Sequence, residues 1–421
     1  MRENYIVLRN VDGDIVRSFA PEPWVNRGGR LSGNLIGFWD FVRRRSTLKC
    51  AEAMKTVASK TIAFNGKFFG AAPTGVHRVA EQLVAATDAL IAGQAGNCGD
   101  YAVVVRDSVE VPLYRNISCI RENPWVRRMH RIAWEQFYLP LARRRDFILN
   151  LCNLGPLFHR DSATMIHDAQ VYSAPESYSL PFRLWYRFLF FFIGKRHKII
   201  FTVSEFSKSE LVRYGIASAD KIVVVHNGCD HVLQVRPDDG QLAALSLKPR
   251  RYVLALANTQ KHKNIGVLLK AFAGAELRGV ELVLFGGATQ AEFETLGHVV
   301  PPNVRFAGRI TDPELVGLMA NAGALAFPSL TEGFGLPPLE AMALGCPVVA
   351  APFGALPEVC GEAALYADPF SPDAWRLNIL TALDDEAVRQ SLISAGRRQA
   401  GGFTWKRAAR NMFETVKAVT H

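Results

Sequence analysis

Beyond residue 60 the apolar positions of this chain fall into short β-branched runs, separated by longer stretches with helical spacing. One series occupies residues 61–64, 101–105, 147–151, 164–166, 199–203 and 222–225. A second occupies residues 252–257, 281–285, 304–307, 324–327, 347–350 and 364–367. Strands alternating with helices build βαβ units and parallel sheets. Polar Pro237-Asp238-Asp239-Gly240, then Lys248-Pro249-Arg250, divide the series. The pattern predicts an α/β protein of two doubly wound, Rossmann-like domains, residues 56–240 and 241–403. Their ligands belong at the carboxyl ends of the strands, in the cleft between the domains. Residues 1–55 read as an N-terminal extension. Apolar runs there flank Asp12-Gly13-Asp14 as in a hairpin, and Arg43, Arg44 and Arg45 follow.

The length, 421 residues, suits two or three domains at ~100–200 residues each. Hydrophobic residues are 49% and charged residues 21%, which excludes a wholly disordered chain. Mean hydropathy is +0.06. The net charge is +10, and half of the excess lies in residues 1–60, with eleven Lys/Arg against six acids. Eight arginines, including Arg127, Arg128, Arg143, Arg144 and Arg145, crowd residues 113–145. Such a surface meets phosphorylated substrates, anionic membranes or nucleic acid, or is only a solvated face. No recognition motif accompanies it, so no nucleic-acid role is expected. The seven cysteines, with no Cys-x-x-Cys, read as reduced cytosolic thiols. No signal-peptide pattern or run of ~18–20 apolar residues occurs.

The densest chemistry lies in Phe327-Pro-Ser-Leu-Thr-Glu332-Gly333-Phe334-Gly335-Leu336-Pro337-Pro338-Leu-Glu340, ending at Gly345-Cys-Pro347. A strand ends near Phe327. Pro338 suits the first turn of a helix and Gly345 its C-terminal cap. Glu332 to Gly335 therefore precede a helix N-terminus, whose free N–H groups favour an anion. Glycines at 333 and 335 let backbone approach a phosphate closely. Glu340, read as lying in the first helical turn, then reaches the hydroxyls of a ribose.

Glu332-x7-Glu340 around Gly-Phe-Gly-x-Pro resembles the signature of the family-4 retaining glycosyltransferases of GT-B fold. The likeness spans most of residues 60–415. Thr202-Val-Ser204-Glu-Phe-Ser207 is similar to the family's strand-to-helix turn. Asn227-Gly228-Cys-Asp230 resembles its close of the first domain. Phe403-Thr-Trp405 is similar to the start of its C-terminal segment, residues 404–421, which crosses back as a helix. The resemblance implies a nucleotide-diphospho-sugar donor, a saccharide acceptor and no essential metal or other cofactor. It implies that Lys263 and the loop at Gly333, Phe334, Gly335 and Leu336 hold the phosphates, with Gly75 and Arg78 of the first glycine loop beside them. Gly308 and Ile310 frame the base, Glu340 holds the ribose, Glu332 orients the sugar hydroxyls, and His167 and Asp168 line the sugar and acceptor side. Many relatives carry Arg where this chain has Asn258, so the phosphate clamp departs from the family pattern. Lys261, His262 or Arg251 are the candidates to compensate.

Trp134-Glu135-Gln136-Phe-Tyr-Leu-Pro140, Cys152-Asn-Leu-Gly-Pro156 and His167-Asp168 resemble the bacterial subgroup that builds O-antigen and exopolysaccharide. That implies mannose from GDP-mannose. The alternatives are a catalytically inactive scaffold on the same fold or a same-fold sugar-nucleotide epimerase. Residues 181–198, rich in Phe and ending in Lys195, Arg196 and Lys198, predict a helix with an aromatic face and cationic ends. Such a helix suits a bilayer interface, or it is a buried core helix. An acceptor carried on a lipid diphosphate favours the interface. The expectation is a peripheral protein on the cytoplasmic face of a bacterial inner membrane.

Overall fold

The computed structural model describes residues 6–9, 15–18, 60–70, 74–92, 101–106, 109–122, 126 and 128–420. They belong to two units, Met1–Ser59 and Lys60–His421. In the first, β1 (Ile6–Arg9) pairs antiparallel with β2 (Ile15–Ser18), Ile6 opposite Ser18. The turn at Asp12-Gly13-Asp14, the run Arg43, Arg44 and Arg45, and Arg127 lie outside the described residues.

The second unit holds two sheets, and every strand pair in both is parallel. The first contains β3 (Ile62–Asn65), β4 (Tyr101–Val105), β5 (Ser118–Arg121), β6 (Phe147–Asn150), β7 (Ser162–Met165), β8 (Ile199–Thr202) and β9 (Ile222–Val224). Its order is β5-β4-β3-β6-β7-β8-β9. The second contains β10 (Tyr252–Leu256), β11 (Glu281–Phe285), β12 (Val304–Gly308), β13 (Ala324–Phe327), β14 (Val348–Ala350) and β15 (Ala364–Tyr366), ordered β12-β11-β10-β13-β14-β15. Each sheet reverses its order beside its first strand. That switch point opens a crevice at the carboxyl ends.

Strands β3, β4, β6, β7 and β8 are buried along their whole length. Helices cover both faces, so these strands read as continuous apolar runs rather than alternating ones. Edge strand β5 is mostly exposed. Its sequence, Ser-Cys-Ile-Arg, lacks an apolar run, and the hydrophobic pattern did not anticipate it.

Six helices shape the crevice or hold its two sides together: α1 (Gly75–Ile91), α2 (Leu180–Arg196), α3 (Glu205–Arg213), α4 (Asp312–Asn321), α5 (Leu336–Leu344) and α6 (Trp405–Thr420). Thr74 caps α1, its hydroxyl accepting from the His77 N–H at 3.4 Å. Gly335 starts α5 at φ 96°, Pro337 and Pro338 fill its first turn, and Gly345 closes it at φ 79°. Both angles lie in the left-handed region, where glycine is at ease. Helix α6 buries Trp405, Ala408, Ala409, Met412, Phe413 and Val416 and packs on α1 of the first domain. The Phe413 ring stacks on Tyr101 with centroids 5.6 Å apart. This is the crossing helix that the family resemblance implied.

Candidate active site between the two sheets

The carboxyl ends of the sheets face each other across a cleft of about 770 Å³. From the second domain, Asn258, Gln260, Lys263, Glu332, Gly333, Phe334, Gly335, Leu336 and Glu340 line it. The first domain contributes Gly75, Arg78, Asn153, His167 and Asp168, with an aromatic wall of Tyr178, Phe182, Tyr186 and Phe190.

The loop at 332–335 is gripped from the opposite domain. Ser204 Oγ donates to the Gly333 carbonyl at 2.6 Å, and Ser207 Oγ lies within reach of the same carbonyl at 3.0 Å and of the His167 carbonyl at 2.9 Å. This gives Thr202-Val-Ser204-Glu-Phe-Ser207 its purpose: it ties two cleft loops together. A Cβ on Gly333 would stand 2.5 Å from the His167 carbonyl oxygen. Only glycine permits that approach.

Lys263 is the last residue of a short 3₁₀ turn after β10. Its Nζ pairs with Glu332 Oε1 at 2.7 Å. One cation and one carboxylate thus meet at the mouth of the glycine loop. Glu340 is the fifth residue of α5, so it sits in the second turn, not in the first as the prolines suggested; the helix begins at Leu336, ahead of them. It is 3% exposed. Arg78 Nη1 lies 3.5 Å from Glu340 Oε1, and Arg78 also pairs with Asp312. Arg78 was expected beside the diphosphate. Here it turns to the carboxylates of α4 and α5, the nearest anions across the cleft.

His167 donates from Nε2 to the Leu151 carbonyl at 2.9 Å, and its backbone N–H donates to Asn153 Oδ1 at 2.9 Å. A carbonyl only accepts, so Nε2 carries the proton and Nδ1 keeps its lone pair. Burial lowers the ring's pKa to about 4, which leaves it neutral at physiological pH. Such a ring can accept a hydrogen bond through Nδ1 and supplies no positive charge. Burial raises the Asp168 carboxyl, with nearby Glu332 adding to the rise against the pull of the Gln170 N–H and Lys263.

His262, Arg251, Lys261, Gly308 and Ile310 stand back from the cleft. His262 is buried, bonds Ser177 Oγ through Nδ1 at 2.7 Å, and stacks near Tyr178. Burial lowers its pKa to about 4, and Lys263 adds to the fall. A neutral ring committed to Ser177 does not replace a phosphate-binding arginine. Arg251 cannot do so either. It precedes β10, at the end of the sheet remote from the cleft, and pairs with Asp384 at 3.2 Å. Lys261 is exposed and outside the lining. Asn258 Oδ1 accepts from the Gln260 N–H at 2.8 Å, shaping the turn that presents Lys263. Gly308, at φ 69°, and Ile310 lie at the end of β12 and do not line this cavity.

The motifs Trp134-Glu135-Gln136 and Cys152 to Pro156 act behind the cleft. Trp134–Tyr138 is a π-helical segment, an irregularity frequent near functional sites. Buried Glu135 accepts from Asn65 Nδ2 at 2.9 Å and pairs with Lys67 at 2.6 Å. Gln136 bonds the Gly155 carbonyl and the Leu157 N–H, each at 3.0 Å. Together they fix the loop after β6, from which Asn153 enters the cleft at φ 59°. Asn153, Gln170, Gln260 and the aromatic wall were not read from sequence as site residues. Their signal is contact across the fold, not spacing along the chain.

Comparison with known proteins agrees with this geometry. The family of glycosyl transferases group 1 matches residues 243–399. The O-antigen chain mannosyltransferase B of Escherichia coli is 31% identical over 326 residues, covering 72% of this chain and 83% of that protein. The O-antigen chain mannosyltransferase RfbU of Salmonella typhimurium is 28% identical over 260 residues, covering 59% and 70%. The sucrose-phosphate synthase of Thermosynechococcus elongatus shares the fold, with TM-score 0.65 and 19% identity over 86% of this chain and 99% of that one. With two facing parallel sheets, a glycine loop at the cleft and a crossing C-terminal helix, the chain belongs to the group 1 glycosyl transferases and is a glycosyltransferase of GT-B fold.

Proposed function

We propose that the enzyme moves mannose from GDP-mannose, with retention at the anomeric carbon, to a saccharide carried on a lipid diphosphate. The mannosyltransferase relatives support the choice of sugar. The observation that carries the site assignment is the Lys263–Glu332 pair at the glycine loop, with Glu340 buried a helical turn beyond.

On donor binding, Lys263 exchanges Glu332 for the diphosphate and stabilises charge growing on the leaving phosphate. The N–H groups at the start of α5 share that task. Freed Glu332 accepts from sugar hydroxyls, and Glu340 accepts from the ribose. Attack comes from the leaving-group side, and the leaving phosphate takes the acceptor proton. Neutral His167 orients a hydroxyl without acid–base work. No cation is needed on this reading, and turnover should persist in a chelator. The test is turnover with a panel of nucleotide sugars. Preference for UDP- or ADP-sugars would remove the mannose assignment, and inertness to all donors with retained nucleotide binding would favour a scaffold.

The acceptor side supports the lipid-linked reading. Among the described residues no helix is long and apolar enough to cross a membrane. Helix α2 nevertheless exposes Leu184, Trp185, Phe188 and Phe191 while burying Phe190, Leu189 and Ile193. One face of this helix is thus core and the other is bare. Phe188 is 49% exposed and Phe190 2%. Lys195 lies over the Phe191 ring at 3.9 Å and Arg196 near Phe192 at 5.5 Å. Apolar rings beside cations suit an anionic bilayer surface. The enzyme should co-sediment with anionic liposomes at low salt and less at high salt. Replacing Leu184, Trp185, Phe188 and Phe191 with Ser should abolish it. Phe190 is a core and cleft residue and must be left intact. No sedimentation on anionic lipid would leave the acceptor a soluble molecule.

A further inference from the structure

Glu340 is backed by a chain of groups that begins on the crossing helix. Trp405 opens α6, and its Nε1 donates to His231 Nδ1 at 3.0 Å. An indole N–H can only donate, so His231 Nδ1 must offer its lone pair. The neutral ring then carries its proton on Nε2. That nitrogen lies 3.1 Å from Glu340 Oε1. All three side chains are buried: Trp405 at 4%, His231 at 9% and Glu340 at 3% exposure. The approach is not in line. Neither His231 Nε2 nor Glu340 Oε1 completes a hydrogen bond.

The backbone around the chain of contacts is also fixed. The Trp405 N–H donates to Asp230 Oδ1 at 2.8 Å, and the Cys229 N–H donates to the Phe403 carbonyl at 3.1 Å. A Cβ on Gly228 would stand 2.2 Å from Trp405 N. The segment carrying His231 is thus clamped to the start of α6 and has no freedom to slide away from Glu340. Arg78, from the other domain, faces the same Oε1 at 3.5 Å. Oε2 receives no hydrogen bond from the described residues, and it is the oxygen left for a ligand in the cleft.

We infer that His231 is a positioning residue for the donor. Its Nε2–H, set by Trp405, steers Oε1 of Glu340 so that Oε2 meets the ribose hydroxyls. The unaligned pair closes into a charge-assisted hydrogen bond when the ligand draws the carboxylate into line, and that bond then fixes the carboxylate's orientation. The consequence is a link between domain crossing and nucleotide binding. Helix α6 does not merely staple the domains together. Its first side chain determines the tautomer of the group that aims the ribose contact. The inference rests on the assignment of Glu340 to the ribose, and the experiment separates the two.

The experiment is calorimetry with whichever of GDP, UDP and ADP binds best, beside its 2′,3′-dideoxy analogue, on the full chain. The wild type should prefer the ribose form, and Glu340→Ala should erase the preference. His231→Ala should weaken the ribose form about tenfold, the scale of a charge-assisted hydrogen bond, and the dideoxy form less than twofold. His231→Gln, which places an N–H near Nε2, should restore most of the affinity. Trp405→Phe keeps an aromatic ring without the N–H donor and should give a smaller loss in the same direction. It also keeps the test open should His231→Ala fold poorly. Equal losses for both nucleotides, or none, would overturn the positioning role. A preference that survives Glu340→Ala would instead overturn the ribose assignment, and the positioning role with it.

Discussion

The two walls of the cleft are built on opposite principles. The second-domain wall is mostly backbone and charge: a glycine loop, a helix N-terminus, Lys263, Glu332 and Glu340. The first-domain wall is mostly shape: Tyr178, Phe182, Tyr186 and Phe190, with neutral His167 and the amide of Asn153. A diphosphate and a ribose demand particular residue types at particular spacings, whatever the fold around them. A saccharide ring is recognised by apolar contact and a few hydroxyl partners, which many residues can supply. The charged wall should therefore respond to single substitutions in turnover or nucleotide affinity, and the aromatic wall chiefly in acceptor use.

The largest effect should follow removal of the cation. Lys263→Ala should lower kcat by about 10²–10³, the cost of losing one group that stabilises developing charge, with a smaller change in nucleotide affinity. Unchanged turnover would take Lys263 out of the reaction. Next comes the place where the walls touch. Gly333→Ala puts a methyl 2.5 Å from the His167 carbonyl. At about 1–3 kcal/mol for a forced overpacked contact, it should push the loop off its seat against the first domain and reduce kcat/KM about tenfold or more, measured with saturating acceptor. A variant with normal kcat/KM would show that Ser204 and Ser207 do not need that loop in place.

A smaller effect concerns pH. His167 and His197 both have pKa values lowered to about 4 by burial, against ~6.5 in an unfolded chain. Between these values the unfolded chain binds more protons, so stability falls as pH drops. The contribution is complete above about 6.5 and lost on the way to about 4. Thermal melts at pH 7, 6 and 5 should show a falling Tm, while His167 contributes no step near 6.5 to the pH profile of kcat. Such a step, abolished by His167→Asn, would mean that the ring titrates in the working enzyme.

Legibility followed the same division. Glu332, Gly333, Gly335 and Glu340 could be placed from sequence because a strand end, two prolines and two glycines fix the helix start to within a residue or two. Arg78 was found but its partners Asp312 and Glu340 were not, since a side chain's partner across a cleft is not encoded in its own neighbourhood. His262 was misjudged for the same reason: its neighbour Ser177 is 85 positions away. Strand β5 escaped notice because an exposed edge needs no apolar run. The face of α2 buried in the core and the face left bare could not be separated, because Phe188 and Phe190 look alike until neighbours are in place.

The proposed function divides the donor between the two glutamates of the charged wall, Glu340 for the ribose and Glu332 for the sugar. Calorimetry with GDP beside steady-state turnover of GDP-mannose probes that division. Glu340→Ala should lose about 10–100-fold in GDP affinity, the cost of a charge-assisted hydrogen bond of ~1.5–3 kcal/mol. Glu332→Ala should bind GDP nearly as well as the wild type and turn over far more slowly. Equal losses of GDP affinity in both variants would contradict the division.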